Sequence, residues 1–118
     1  MTRRKRAFLA IIGAQRYAQR SNCWVMAGAV ITNKNGEIIT GGWNHAGPNG
    51  MGMHAEAEAI RRLRRRHAPH AITIAKFNGK KWLKSPPCSK CAALIALTDI
   101  KLIRYFNGKE WKLDGQAH

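Results

Sequence analysis

Hydrophobic and polar positions follow two rhythms along the chain, and the switches between them mark the elements. Residues 7 to about 19 carry Phe8, Ile11, Ile12, Gln15 and Tyr17 at mostly helical spacing, closed by Ser21-Asn22, and predict a first helix. Trp24 to Ile31 is a nearly continuous apolar run broken by Gly28, the pattern of a buried strand. Asn33-Lys34-Asn35-Gly36 predicts a hairpin turn, because Asn-Gly accepts the positive φ angles of a two-residue turn. Glu37 to Trp43 returns as the partner strand. Asn44 to Gly52, with Gly47, Pro48 and Gly50, is a loop by composition.

A second helix begins at Met53 or His54 and runs to about Arg66. On it His54, Ala55, Ala57, Ile60 and Leu63 share an inner side, while Arg61, Arg62, Arg64, Arg65 and Arg66 project outward. Pro69 ends the segment, and Ala71 to Phe77 is rich enough in β-formers to be a third strand. Asn78-Gly79 turns it into a short returning segment, Lys80 to Lys84. Pro86-Pro87 precedes a third helix from Cys88 to Leu97, with Thr98-Asp99 as its exit. Ile100 to Phe106 is a fourth strand, and Asn107-Gly108 turns into Lys109 to Leu113. Phe77-Asn78-Gly79-Lys80-Lys81-Trp82 is echoed by Phe106-Asn107-Gly108-Lys109-Glu110-Trp111, a hairpin solution used twice. The order of elements is that of an α/β layered sheet.

Length and composition narrow this picture. The 118 residues, 45% of them hydrophobic, fit one compact domain spanning 1–118. No run of eighteen apolar residues occurs, so no membrane span is predicted. Arg3-Arg4-Lys5-Arg6 followed by Ala7 to Ala14 has the outline of a signal peptide. Its apolar stretch is short and passes unbroken into Gln15-Arg16-Tyr17, so it is taken as the first helix of a cytoplasmic protein, with residues 1–6 a mobile basic arm. Twenty-one Lys and Arg against six Asp and Glu give a net charge of +15, a field that attracts polyanions or phosphorylated small molecules. Fourteen residues follow Arg104, and a parallel crossover needs a dozen or more for its connection alone. The last strand is therefore expected antiparallel to the fourth.

The chemistry sits in two short motifs. The cysteines are Cys23, Cys88 and Cys91, an odd number, which argues against a disulfide scaffold. His54-Ala55-Glu56 opens one predicted helix, and Pro87-Cys88-Ser89-Lys90-Cys91 opens another. Two thiols three positions apart at a helix start lie on one face, where the helix N-terminus favours thiolate. One imidazole and two thiolates suit tetrahedral zinc, and a fourth position left to water makes such a site catalytic. A closed structural site would recruit Cys23, His45, His67 or His70 as fourth ligand and has no use for Glu56. A thioredoxin-like redox pair should follow the first strand of a βαβ unit, whereas this one comes late. Cys23 reads as a small buried apolar residue, and Glu58 as a solvated or ion-paired helix residue turned away from Glu56.

Together His-Ala-Glu and Pro-Cys-x-x-Cys resemble the cytidine and deoxycytidylate deaminase superfamily. The likeness extends to Gly28-Ala29-Val30-Ile31, Gly42-Trp43-Asn44 and Ile100-Lys101-Leu102-Ile103, and covers roughly residues 10 to 106. It implies a three-layer α/β/α fold with a mixed sheet, and one zinc ion per chain held by His54, Cys88 and Cys91. It also implies that Glu56 moves protons, that Asn44 holds a sugar hydroxyl, and that the Ala55 N–H and carbonyls near Ser85-Pro86 grip the base edge. A homo-oligomer is expected on the same ground. The implied substrate is a cytosine nucleoside or nucleotide.

A second reading edits cytosine or adenine in single-stranded DNA or RNA, with Arg3 to Arg6, Arg61 to Arg66 and the Lys80–Lys84 hairpin tracking phosphates and an exposed Trp stacking on bases. A third, from another class, is a basic nucleic-acid-binding module with structural zinc. Two features depart from the family: His54 and Cys88 are thirty-four positions apart, longer than in many members, and no closing crossover helix is predicted. The surplus matches Asn78 to Lys84, expected as a lip over the pocket carrying Trp82.

Overall fold

The computed structural model of the chain describes residues 2–47 and 52–117, so Pro48 of the predicted loop lies outside the described residues. The elements run α1 (Arg3–Ala18), β1 (Met26–Thr32), β2 (Ile38–Trp43), α2 (Ala55–Arg61), β3 (Ala71–Phe77), β4 (Trp82–Leu83), α3 (Ser89–Ala96), β5 (Leu102–Phe106) and β6 (Trp111–Gln116). The sheet order is β2-β1-β3-β5-β6, with β4 added to the end of β3. β3 and β5 run parallel and the other pairings are antiparallel, including β5 with β6, as the short tail predicted. No helix of the described residues is long and apolar enough to cross a membrane.

Alternation along the central strands divides the core into two layers. Ala27, Ala29 and Ile31 of β1, with Ile72 and Ile74 of β3, pack on Ala55, Ala59 and Ile95 of α2 and α3. Val30 and Ala75 face the other way and meet Ala10 and Ala14 of α1. This gives the three-layer α/β/α arrangement. Ile31, Ile72, Ile74, Ile95 and Ile100 are fully buried, each contributing roughly 1.5–3 kcal/mol of transfer free energy. The α1 contact is tight because Gly28 has no side chain: a Cβ there would meet the Ala14 carbonyl oxygen at 2.1 Å.

The repeated Phe-Asn-Gly-Lys-x-Trp sequence builds the same turn twice. Asn78 Oδ1 accepts from the Lys80 and Lys81 N–H groups, and Asn107 Oδ1 from those of Lys109 and Glu110. Gly79 and Gly108 take φ of +92° and +100°. In each hairpin the aromatic pair closes up, Phe77 on Trp82 at 4.7 Å and Phe106 on Trp111 at 5.8 Å between ring centroids. Trp82 and Trp111 both pack on the α1 side of the sheet.

Several expectations need correction. Residues 3–6, expected within a basic arm, form the first turn of α1, capped by the Thr2 side chain and tied by Arg3 to Asp114 at 2.8 Å. The buried stripe of α1 is Ala7, Ala10, Ile11, Ala14 and Ala18, so Phe8 is left exposed. α2 ends at Arg61 rather than near Arg66: after the Arg62 N–H bonds the Glu58 carbonyl, the Leu63 N–H takes the Ile60 carbonyl three residues back and tightens the last turn. Its inner side is Ala55, Glu56, Glu58 and Ala59, two acids where apolar residues were expected. Trp24 lies before β1 and is 97% exposed, outside the strand predicted to begin there.

Candidate metal centre and its pocket

Both metal-binding motifs are delivered by helix starts. His54 is the residue before α2 and Cys88 the residue before α3; each has extended backbone, and neither spends its side chain on capping its own helix. Their side chains instead meet each other. His54 Nδ1 stands 3.6 Å from Cys88 Sγ and 3.3 Å from Cys91 Sγ, and the three donor atoms lie within 4.8 Å of one another. Ideal tetrahedral zinc, with bonds of about 2.0 Å to nitrogen and 2.3 Å to sulfur, separates such donors by about 3.6 Å. The donor set therefore fits zinc in chemistry and in spacing, and with the family match below it supports one zinc per chain.

The two thiols have different surroundings. The Cys91 backbone N–H points at Cys88, which is exposed, and holds its thiol below the usual range. Burial pushes the Cys91 thiol up to about 12, helped by the neighbouring Glu56 carboxylate. A bound cation reverses that preference and takes the thiolate.

Among the described residues no fourth His, Cys, Asp or Glu joins the three donors. His45 Nε2 instead lies 3.7 Å from Glu58. A cavity of about 170 Å³ opens beside the cluster, lined by Val25, Ala27, Asn44, His54, Ala55, Glu56, Lys76 and Cys88. Glu56, in the first turn of α2, is 2% exposed. The first turn of a helix favours a carboxylate, which is one physical reason an acid can be buried there.

The other predicted contacts divide. Ala55 and Asn44 line the cavity. Both ends of the Asn44 amide are already engaged: Oδ1 accepts from the Ala27 N–H at 2.8 Å and Nδ2 donates to the Val25 carbonyl at 2.8 Å. One lone pair and one N–H remain to meet a ligand. Neither Ser85 nor Pro86 is among the lining residues. The Ser85 side chain is fully buried; its hydroxyl donates to the Ile74 carbonyl at 2.7 Å and accepts from the Phe106 N–H at 2.9 Å. It bridges β3 and β5 where they part. Trp82 is no lip over the pocket, since antiparallel pairing with Phe77 puts it on the opposite face of the sheet.

Three lining residues were missed from the sequence, Val25, Ala27 and Lys76. Lys76 follows Ile72 and Ile74 at a spacing of two on β3, so strand alternation alone could have aimed it at the α2–α3 side. The arginine cluster is also less free than expected. Glu58, 3% exposed, meets Arg62 at 2.8 Å and Arg61 at 3.2 Å, and Arg62 lies over the Trp43 ring at 5.2 Å. Burial would raise the Glu58 carboxyl, but the Arg61 hydrogen bond, the Arg62 and Arg61 charges and His45 hold it below the usual range. It is thus ion-paired, not solvated.

Comparison with known proteins agrees with this geometry. Residues 1–107 match the family model described as the cytidine and deoxycytidylate deaminase zinc-binding region. The cytidine deaminase from Burkholderia pseudomallei superposes with a TM-score of 0.72 at 15% identity, covering 93% of this chain and 91% of that one. The cytidine deaminase from Mycobacterium leprae gives 0.66 at 18% identity, covering 89% and 90%. The dCMP deaminase from the cyanophage S-TIM5, in apo form, gives 0.63 at 22% identity, covering 84% and 80%. No curated protein matches the chain by sequence. At these identities the solved structures show a shared fold.

Proposed function

Because the chain belongs to the cytidine and deoxycytidylate deaminase family, we propose that it hydrolyses the cytosine base of a nucleoside or nucleotide to uracil and ammonia. The observation that carries this reading is the convergence of one imidazole and two sulfurs beside a cavity into which a buried carboxylate, Glu56, also opens.

The roles follow from position. Zinc held by His54, Cys88 and Cys91 supplies Lewis acidity, which brings the pKa of water from about 16 down towards 7. Glu56 accepts the proton that the attacking water gives up and delivers it to the ring nitrogen beside the reacting carbon. It then takes the second proton from the hydroxyl now bonded to that carbon and passes it to the departing amino group, so that a C=O bond replaces the C–N bond and ammonia leaves. Burial of Glu56 keeps bulk water from short-circuiting that transfer. Asn44 and the Ala55 N–H, both at the cavity wall, are the groups for sugar and base edge.

Lys76 supports a nucleotide over an uncharged nucleoside. Among the lining residues it alone carries a fixed positive charge, and no ion pair engages it among the described residues. Ammonia release from cytidine, CMP, dCMP and a cytosine-containing oligonucleotide, each by the zinc-loaded chain, tests the reading. Turnover of CMP or dCMP above that of cytidine is the expected result. No ammonia from any of the four overturns it, and turnover of the oligonucleotide alone moves the substrate to single-stranded nucleic acid.

A further inference from the structure

At the end of the sheet away from the zinc cluster, where β3 and β5 begin and β1 ends, the chain gathers cations around two adjoining cavities. One, of about 190 Å³, is lined by Arg3, Arg6, Lys34, His70 and Arg104 together with Asn33, Gly36 and Leu102, and no carboxylate is among them. The other, of about 300 Å³, shares Arg3 and Arg104 and adds Arg4 and Asp114. Neither has a lining residue in common with the cavity beside the metal cluster. We infer that this is a phosphate-binding site, taking a small ligand with a doubly charged terminal phosphate and clamping the start of α1 to the β5–β6 hairpin.

Four observations converge on it. Arg104 is 7% exposed, yet among the described residues its one hydrogen-bond partner is the Leu113 carbonyl, which accepts from Nε at 3.2 Å. Its remaining four N–H groups, the forked ends of the guanidinium, have none among those residues. The backbone is bent to place it: Ile103 pairs with Gly115 and Tyr105 with Lys112, so Leu113 and Asp114 together oppose Arg104 in a bulge. The Arg6 Nε is buried without a partner, while its Nη1 donates to the Lys34 carbonyl. The first turn of α1 carries Arg3, Arg4 and Lys5 and no acid, although the positive end of a helix dipole favours the opposite charge.

This arrangement is self-repelling in the absence of an anion. Asp114 is 61% exposed and satisfies one N–H of Arg3, and Glu37 is held by the Asn33 amide at 3.1 Å. Burial and the charges of Arg104, Lys34, Lys101 and Arg3 hold the His70 imidazole below its usual range. Guanidinium forks match phosphate oxygens in pairs, and a dianion at a helix N-terminus relieves the repulsion most.

Inorganic phosphate and pyrophosphate, titrated into the zinc-loaded full chain at constant ionic strength, test the site. Calorimetry is expected to show one saturable site, and NMR titration of the His70 ring is expected to show its midpoint rising when the anion binds. Arg104→Gln and the milder surface change Lys34→Gln should each weaken binding at least tenfold, while Lys109→Gln, in a turn at the other end of the sheet, should not. Binding that is unsaturable, that is equal in all three variants, or that leaves the His70 midpoint unmoved overturns the proposal. An oligonucleotide with 5′- and 3′-hydroxyl ends should fail to displace pyrophosphate. If it does displace it, and loses affinity in the same variants, the site reads a phosphodiester backbone and the proposed terminal phosphate is wrong.

Discussion

Replacing Glu56 by Gln separates its chemistry from its packing. Glutamine has nearly the same volume and fills the same 2%-exposed position, so no cavity is made. What disappears is the ability to accept and return a proton. General acid–base catalysis typically contributes 10²–10⁴-fold, which at about 1.4 kcal/mol per decade is roughly 3–5.5 kcal/mol of barrier. Folding stability moves much less, because two small effects oppose each other. A buried charge is removed, while a carboxylate that favours the start of α2 is lost, an effect of about 0.3–1 kcal/mol. Zinc content should remain one per chain, since Glu56 is not among the three converging donors. The assay is kcat for the preferred nucleotide together with metal analysis and a thermal melt of the same sample. A kcat within tenfold of the parent refutes the proton-carrier role, and a fall that tracks zinc loss reassigns Glu56 as a ligand.

Ser85→Ala should cost about 2–4 kcal/mol, measured as a lower denaturation midpoint with an unchanged m-value, because it strands the Ile74 carbonyl and the Phe106 N–H in a fully buried place. Gly28→Ala should destabilise by about 3 kcal/mol or more, since the new Cβ meets backbone atoms of α1 at 2.1 and 2.3 Å and the helix itself must retreat. Both are refuted by melts that match the parent. Glu58 bears on the acid limb of stability. Its carboxyl lies below the ordinary value of 4.5 in the folded chain, so its contribution is complete above that pH and is lost as pH falls through the lower folded value. Unfolding free energy against pH should therefore fall below about 4.5 by up to about 1.4 kcal/mol per unit, and Glu58→Gln should flatten that limb. An unchanged slope in the variant contradicts the pairing with Arg61 and Arg62.

Legibility from the sequence followed how local each signal was. β3 was read with its observed ends, because Ala71 to Phe77 is bounded by Pro69 on one side and an Asn-Gly turn on the other. The three metal donors were legible because their spacing is set by helix starts, which proline and small polar residues announce. The phase of α1 and α2 was not. In α1 the buried stripe is mostly alanine, which carries little weight against Phe8 in any hydrophobic count. In α2 two of the four buried positions are glutamates, one opening into the cavity and one neutralised by arginines. Sequence periodicity assigns such residues to solvent: it found Ala55, Ile60 and Leu63, which pack on the core, but left both glutamates and Ala59 off the inner side. The structural role of the Ser85 hydroxyl was illegible for a different reason: a serine that bridges two strands in space looks, in one dimension, like any loop serine before prolines.

The small residues that blur those patterns are also what bring the donors together. Ala27 and Ala29 of β1 face Ala55 and Ala59 of α2, and a Cβ on Gly42 would meet the Ala55 carbonyl at 2.8 Å. An alanine-lined contact lets a helix lie closer to a sheet than leucine or phenylalanine would allow. α2 is only seven residues long, so its start is fixed by that contact and not by helix propensity. His54 immediately precedes it, and Asn44 reaches from the end of β2 to Ala27 of the same strand, β1, and to Val25 just before it. α3 docks through Ile95 on the same layer, with Ile100 of the following loop beside it, and the Ser85 bridge fixes the chain three residues before Cys88. The distance between imidazole and sulfurs is therefore a consequence of how two short helices pack on one face of β1 and β3, which is why the site sits where β1 begins, β3 ends and both helices start.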